Sequence, residues 1–240
     1  MKKSVAVFLL IMAMTMTVVV FQARAQEDPF SDEGIDEQEQ IEVADPLEPW
    51  NRLMFQFNDR LYFWVLKPVA KGYSFVFPQD ARVAIRNFFH NLFTPIRLVN
   101  DVLQGKLDRA AKEFARFCVN TTAGVFGFND VAARELNLKV PDEDFGQTLG
   151  HYGMGHGFYI VWPVLGPSSL RDTFGLIGDL MLDPLSYINA EQSLMMRSVY
   201  TINTTSLKIG EYEDLKKGAL DPYISVQDAY LQYRLEQTRK

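Results

Sequence analysis

Arg82-Val-Ala-Ile-Arg-Asn-Phe-Phe-His-Asn-Leu-Phe-Thr-Pro-Ile-Arg-Leu-Val-Asn-Asp-Val-Leu-Gln104 is the clearest amphipathic segment in the chain. Ile85, Phe89, Leu92, Ile96, Val99 and Leu103 step by three and four, and Phe88, Phe93, Leu98 and Val102 widen the stripe, which is the period of an α-helix. Pro95 predicts a bend or break after Thr94, because a proline inside a helix removes a donor and crowds the preceding turn. Gly105 ends the segment, and Lys106 to Val119 restarts it with Leu107, Ala110, Phe114 and Phe117 on one face. Upstream, Asp45 or Asn51 offers a cap for a helix through Leu53, Phe57, Leu61 and Trp64 that ends near Lys67-Pro68. Downstream, a Ser168 or Ser169 cap opens a helix through Leu170, Phe174, Ile177 and Met181, and two more helices cover 191–209 and 222–238. Gly-rich connections lie at 120–129 and 146–168. The expected fold class is all-α.

The ends of the chain read differently. Lys2, Lys3, the apolar run Val5 to Phe21 and Ala23-Arg24-Ala25 have the order of a cleaved export signal over 1–25. A membrane anchor is the rival, but it needs about 20 apolar residues and no cleavage pattern. Glu27 to Glu48 contains no Lys or Arg among its many acids, and a self-repelling block with little to bury predicts a disordered tether over 26–44. The folded domain is then 45–240. The whole chain carries 24 basic and 30 acidic residues, which argues against a nucleic-acid partner. A single cysteine, Cys118, excludes an intramolecular disulfide and reads as inert core.

No constellation demands covalent chemistry. His151 and His156 stand five apart in Gly150-His-Tyr-Gly-Met-Gly-His-Gly157, off the helical spacing of a metal pair and without an acid between them, so neither a metal nor another cofactor is expected. Asp172, Asp179 and Asp183 fall on one helical face opposite the Leu170–Met181 stripe, as a solvated or pore-facing polar row. A lipid hydrolase using His151 or His156 with Asp172 or Asp179 stays open as an alternative. So does a porin-docking protein without transport activity.

A membrane signal runs through the middle of the chain. From Arg82 to Arg116 basic residues outnumber acids, beside a broad Phe/Leu/Ile face. An in-plane interfacial helix needs this pairing of cations and apolar surface, and Arg82, Arg86 and Arg97 are the candidates for contact with anionic headgroups. An ordinary buried bundle helix has the same period. Aromatic-rich Leu61–Leu66 and Phe158–Leu165 suit a membrane–water boundary.

From Asp45 onward the chain resembles the MlaA (VacJ) family of outer-membrane phospholipid-transport proteins. The residues that carry the likeness are Asp45-Pro-Leu-Glu-Pro-Trp-Asn-Arg-Leu-Met-Phe-Gln-Phe-Asn58, Lys67-Pro-Val-Ala70, Leu103-Gln-Gly105, the run Asn120–Ala132, Asp144–Gly157, Gly166-Pro-Ser-Ser-Leu-Arg-Asp172 and Asp221–Tyr230. The resemblance implies a ring of amphipathic helices in the inner leaflet of the outer membrane, around an amphipathic channel. Mislocalised outer-leaflet phospholipid would pass through it, beside a porin trimer, to a soluble periplasmic carrier. It places Trp50, Asn51, Phe55, Phe57 and Asn58 near the lipid path or its gate, and Gly150, His151, Tyr152 and Gly153 in a loop on the periplasmic side. Family members end their signal at a lipid-modified cysteine. Here Ala23-Arg-Ala25 has no cysteine beside it, so export without lipidation is expected.

Overall fold

The computed structural model describes residues 45–239, so the export signal and the acidic stretch lie outside the described residues. Helix α1 (Glu48–Leu61) runs through a single π-helical turn (Tyr62–Leu66) directly into α2 (Lys67–Val76). The helix therefore does not end at Lys67-Pro68. The π turn, in which Lys67 N–H bonds to the Tyr62 carbonyl, widens the coil where Pro68 has no donor to give, and the chain continues. Next come α3 (Gln79–Leu92) and α4 (Thr94–Leu103). The break falls at Phe93, one residue before the predicted point, because Pro95 is well placed in the first turn of a new helix.

Helix α5 (Leu107–Thr122) is followed by two short helices that periodicity did not predict, α6 (Val131–Leu136) and α7 (Phe145–His151). Each starts on an aspartate cap, Asp130 accepting from Ala133 N–H and Asp144 from Gln147 N–H. An antiparallel hairpin of β1 (Tyr159–Trp162) and β2 (Gly166–Ser169) comes next. Ser169 caps α8 (Leu170–Leu182) by accepting from Asp172 N–H, one of the two serines predicted for that place. A 3-10 turn (Pro184–Tyr187), α9 (Ala190–Leu207), α10 (Glu211–Gly218) and α11 (Pro222–Arg239) complete the chain.

Packing neighbours follow one another in a closed circuit. Helix α1 packs on the hairpin, the hairpin on α8 and α11, and α8 on α7. Helix α7 packs on α4, α4 on α3 and α5, α3 on α9, and α9 on α2, which is continuous with α1. This is an all-α ring with a two-stranded insertion. An apolar cluster of buried side chains, Tyr159, Val161, Tyr223, Tyr230 and Leu231, sits where the hairpin meets α11. Cys118 is exposed on α5 and is not a core residue.

Candidate functional site

The helices are amphipathic in the inverted sense. On α4 the buried residues are Thr94, Arg97, Asn100 and Asp101, whereas Val102 and Leu103 are exposed. On α5, Glu113, Arg116 and Asn120 are buried and Leu107 and Phe114 face outward. On α8 the stripe Leu170, Phe174, Ile177 and Met181 is exposed, and Arg171 and Asp172 are buried behind it. Helix α9 buries Thr201, Asn203, Thr204, Thr205 and Ser206 and exposes Met195 and Val199. Phe75 on α2 is 94% exposed. Soluble domains do the opposite, because burying hydrogen-bonded polar groups gains little and leaving a broad apolar surface in water costs about 25 cal/mol per Å².

Inside, the charges are matched. Arg97 donates from Nε to Glu113 Oε1 (2.6 Å) and from Nη2 to the His90 carbonyl (2.7 Å). Arg116 reaches Asp130 at 3.0 Å. Glu143 receives Lys106 (2.8 Å), Arg109 (3.0 Å) and the Gln104 amide (2.9 Å), tying the α4–α5 corner to the segment before α7. On the other side Arg234 of α11 spans Asp144 (2.6 Å) and Asp172 (2.7 Å), and Tyr230 O–H donates to Asp172. Two acids stand apart. Asp101 is fully buried with neither carboxylate oxygen hydrogen-bonded; burial, then Glu143 and Glu113, push it up to about 7. Asp179 accepts from Phe145 N–H (2.9 Å) and Asn100 Nδ2 (3.3 Å), yet burial and then Asp144 raise it to about 8.

The predicted α1 residues separate into two groups. Asn51 is fully buried: its Oδ1 accepts Val161 N–H (2.7 Å), and its Nδ2 donates to the Tyr159 carbonyl (3.1 Å) and to Asp45 (2.7 Å). Two turns along the same face, Asn58 accepts Val164 N–H (2.6 Å) and donates to the Trp162 carbonyl (2.9 Å). These two amides clamp the hairpin backbone to α1 and so hold the fold. Phe55 packs edge-on against Tyr223 beside the apolar cluster. Trp50 and Phe57 are exposed.

Arg97 departs from the expected headgroup contact because its guanidinium is buried and committed to Glu113. Arg82 Nη1 donates to the Ser206 carbonyl (2.7 Å), tying α3 to α9, and Arg86 is half-buried. His151, Tyr152 and Gly153 are exposed at the end of α7, with Gly153 at φ +87°, while a Cβ on Gly150 would meet Arg171. The residues of the histidine–aspartate alternative sit in different settings. Asp172 is committed to Arg234 and Tyr230, His151 lies in the open, and the half-buried His156 has its Nδ1 unpartnered and its pKa lowered by burial and Arg171. Among the described residues no group of three potential ligands gathers to hold a metal.

The arrangement defines a class: a closed ring of short helices, polar within and apolar without, in which no described helix is long and apolar enough to cross a membrane. Residues 43–237 match the family described as MlaA lipoprotein, and the chain belongs to it. Two relatives, each an intermembrane phospholipid transport system lipoprotein MlaA, come from Shigella flexneri and Escherichia coli K12. Both are 37% identical over 192 residues, covering 79% of this chain and 76% of the relative. A chain solved in work on the structural basis for maintenance of bacterial outer membrane lipid asymmetry superposes with a TM-score of 0.72 at 37% identity, covering 81% of this chain and 99% of its own.

Proposed function

We propose that this protein transports phospholipid to maintain outer-membrane lipid asymmetry, removing misplaced molecules from the outer leaflet as a non-enzymatic conduit. The observation that supports this best is the inverted packing. Helices that bury charged, hydrogen-bonded side chains and turn Leu, Ile and Phe outward are at ease among acyl chains, where a protein that handles misplaced phospholipid has to sit. Such helices suit a position in one leaflet, on the periplasmic side of the outer membrane, in an exported protein. The partners this reading assigns are a porin trimer alongside and a soluble periplasmic carrier that receives the lipid. Trp50 and Phe57 on α1, Arg86 on α3 and the loop at Gly150–Gly153 are its contact points with lipid or carrier.

The test is deletion in the native cell, with outer-leaflet phospholipid measured by labelling intact cells. Accumulation there, together with detergent sensitivity that the wild-type chain reverses, is the expected result. Unchanged leaflet composition would sink the proposal and leave a docking protein without transport.

A further inference from the structure

A cleft of about 490 Å³ opens between the π turn with α2 on one side and α10 on the other. Phe63, Lys67 and Lys71 line the first wall; Gly210, Glu213, Asp214, Lys216 and Lys217 line the second. The lining carries four lysines and two acids, with Asp59 behind it as a third acid, so one lysine is left over in a chain whose net charge is −6. The ammonium groups differ in how firmly they are held. Lys67 pairs with Glu213 at 2.5 Å and Lys216 with Asp59 at 2.7 Å, and both sit over the Phe63 ring, at 5.1 and 4.9 Å from its centroid. Those two are fixed by partly buried acids. Among the described residues Lys217 pairs with Asp214 alone, both three-quarters exposed, in a pair that water and salt weaken to little value. Lys71 is exposed and forms no ion pair with any described residue.

We infer that this cleft is a phosphate-binding site for the headgroup of a membrane phospholipid, with Lys71 and Lys217 supplying the contacts to the phosphate. Two exposed ammonium groups on facing walls close on an anion from both sides, while Lys67 and Lys216, each neutralised by its own carboxylate, fix the walls behind them. The surroundings select a lipid over free phosphate. Lys67, Lys71 and Phe75 succeed one another at four-residue steps on one face of α2, so the almost fully exposed Phe75 lies one turn beyond Lys71, with exposed Val76 beside it. A molecule with its phosphate on the lysines can lay an acyl chain along that ridge. The site lies outside the polar interior of the ring. It rests on the reading that this protein meets phospholipid, but not on transport itself.

The experiment is isothermal titration of the full chain, purified in detergent, with dihexanoyl phosphatidylglycerol below its micellar concentration. Inorganic phosphate and dihexanoylglycerol, which lacks the phosphate, are titrated in parallel. The Lys71→Gln/Lys217→Gln variant is expected to bind the phospholipid about tenfold more weakly, the effect of losing charge-assisted contacts. Lys139→Gln, an exposed lysine elsewhere, is expected to match wild type. Equal affinity in the double variant and wild type overturns the site, as does an equal loss in Lys139→Gln. Inorganic phosphate binding as tightly as the phospholipid, with the same loss in the double variant, overturns the lipid assignment and leaves an anion site. Because no membrane pair is present, a protein unable to transport can still pass, so the two proposals fail separately.

Discussion

Asn51 and Asn58 act through the backbone of a segment about a hundred residues away, and removing them tests how the hairpin is held. Asn51→Ala leaves the Tyr159 carbonyl and Val161 N–H buried without partners and is expected to cost about 2–3 kcal/mol, with Asn58→Ala costing less because it is half-exposed. Urea unfolding in detergent measures both; a loss no larger than that of Lys139→Ala would remove the clamp from the account. Asp101 makes a pH prediction. Ionised above about 4 in the unfolded chain but neutral up to about 7 in the fold, it makes the native state hold an extra proton across that window. Stability therefore falls as pH rises from about 4 to about 7, by at most about 1.4 kcal/mol per unit from this group, and its contribution is gone above that. Asp101→Asn should show a shallower fall over the same range, and parallel curves for the two proteins would contradict it. The clamp was not legible beforehand, although Asn51 was read as a candidate helix cap. An asparagine whose partners are main-chain atoms leaves no complementary side chain to find, and the family likeness alone directed Asn51 and Asn58 to a lipid path.

Helix α7 crosses α8 closely enough that only glycine fits at the contact. A Cβ on Gly175 would lie 2.5 Å from Gly146 N and 2.6 Å from Gly146 Cα, backbone atoms that cannot rotate away. Gly175→Ala is expected to destabilise by about 3 kcal/mol through overpacking. Gly72→Ala on α2, where a Cβ meets nothing within 4 Å, is expected to stabilise by about 0.5–1 kcal/mol. Thermal unfolding of the pair separates helix crossing from helix propensity, and two equal shifts would discard the distinction. The long helices were legible from apolar steps of three and four, and the α8 start from its serine. The hairpin was not, because Gly166-Pro-Ser-Ser169 has little strand propensity and its register depends on α1. Pro68 misled for a local reason: a proline normally ends a helix, but one π turn accommodated it.

Taken whole, the molecule turns on which way its stripes face, and periodicity is blind to that: a stripe entering a core and one entering lipid have the same step. The all-α ring itself was expected only through the likeness of its motifs, since no local pattern specifies closure. The inversion predicts that Phe174→Lys with Ile177→Lys, both on the exposed face of α8, leaves the detergent-purified protein folded but weakens its retention on membranes after carbonate washing, since a lysine held among acyl chains costs about 2.5–3.5 kcal/mol at full depth. Retention equal to wild type would mean that this face does not meet lipid. The polar interior has a thermodynamic consequence as well. The heat-capacity rise on unfolding comes from hydrocarbon newly wetted, offset by polar groups newly hydrated, and averages about 12–15 cal/mol/K per residue in soluble domains. Here the melting transition mostly releases amides, hydroxyls and ion pairs, while the greasy rim stays in its micelle. Calorimetry should return an increment well under that range, and a stability curve so flat that cooling barely weakens the ring.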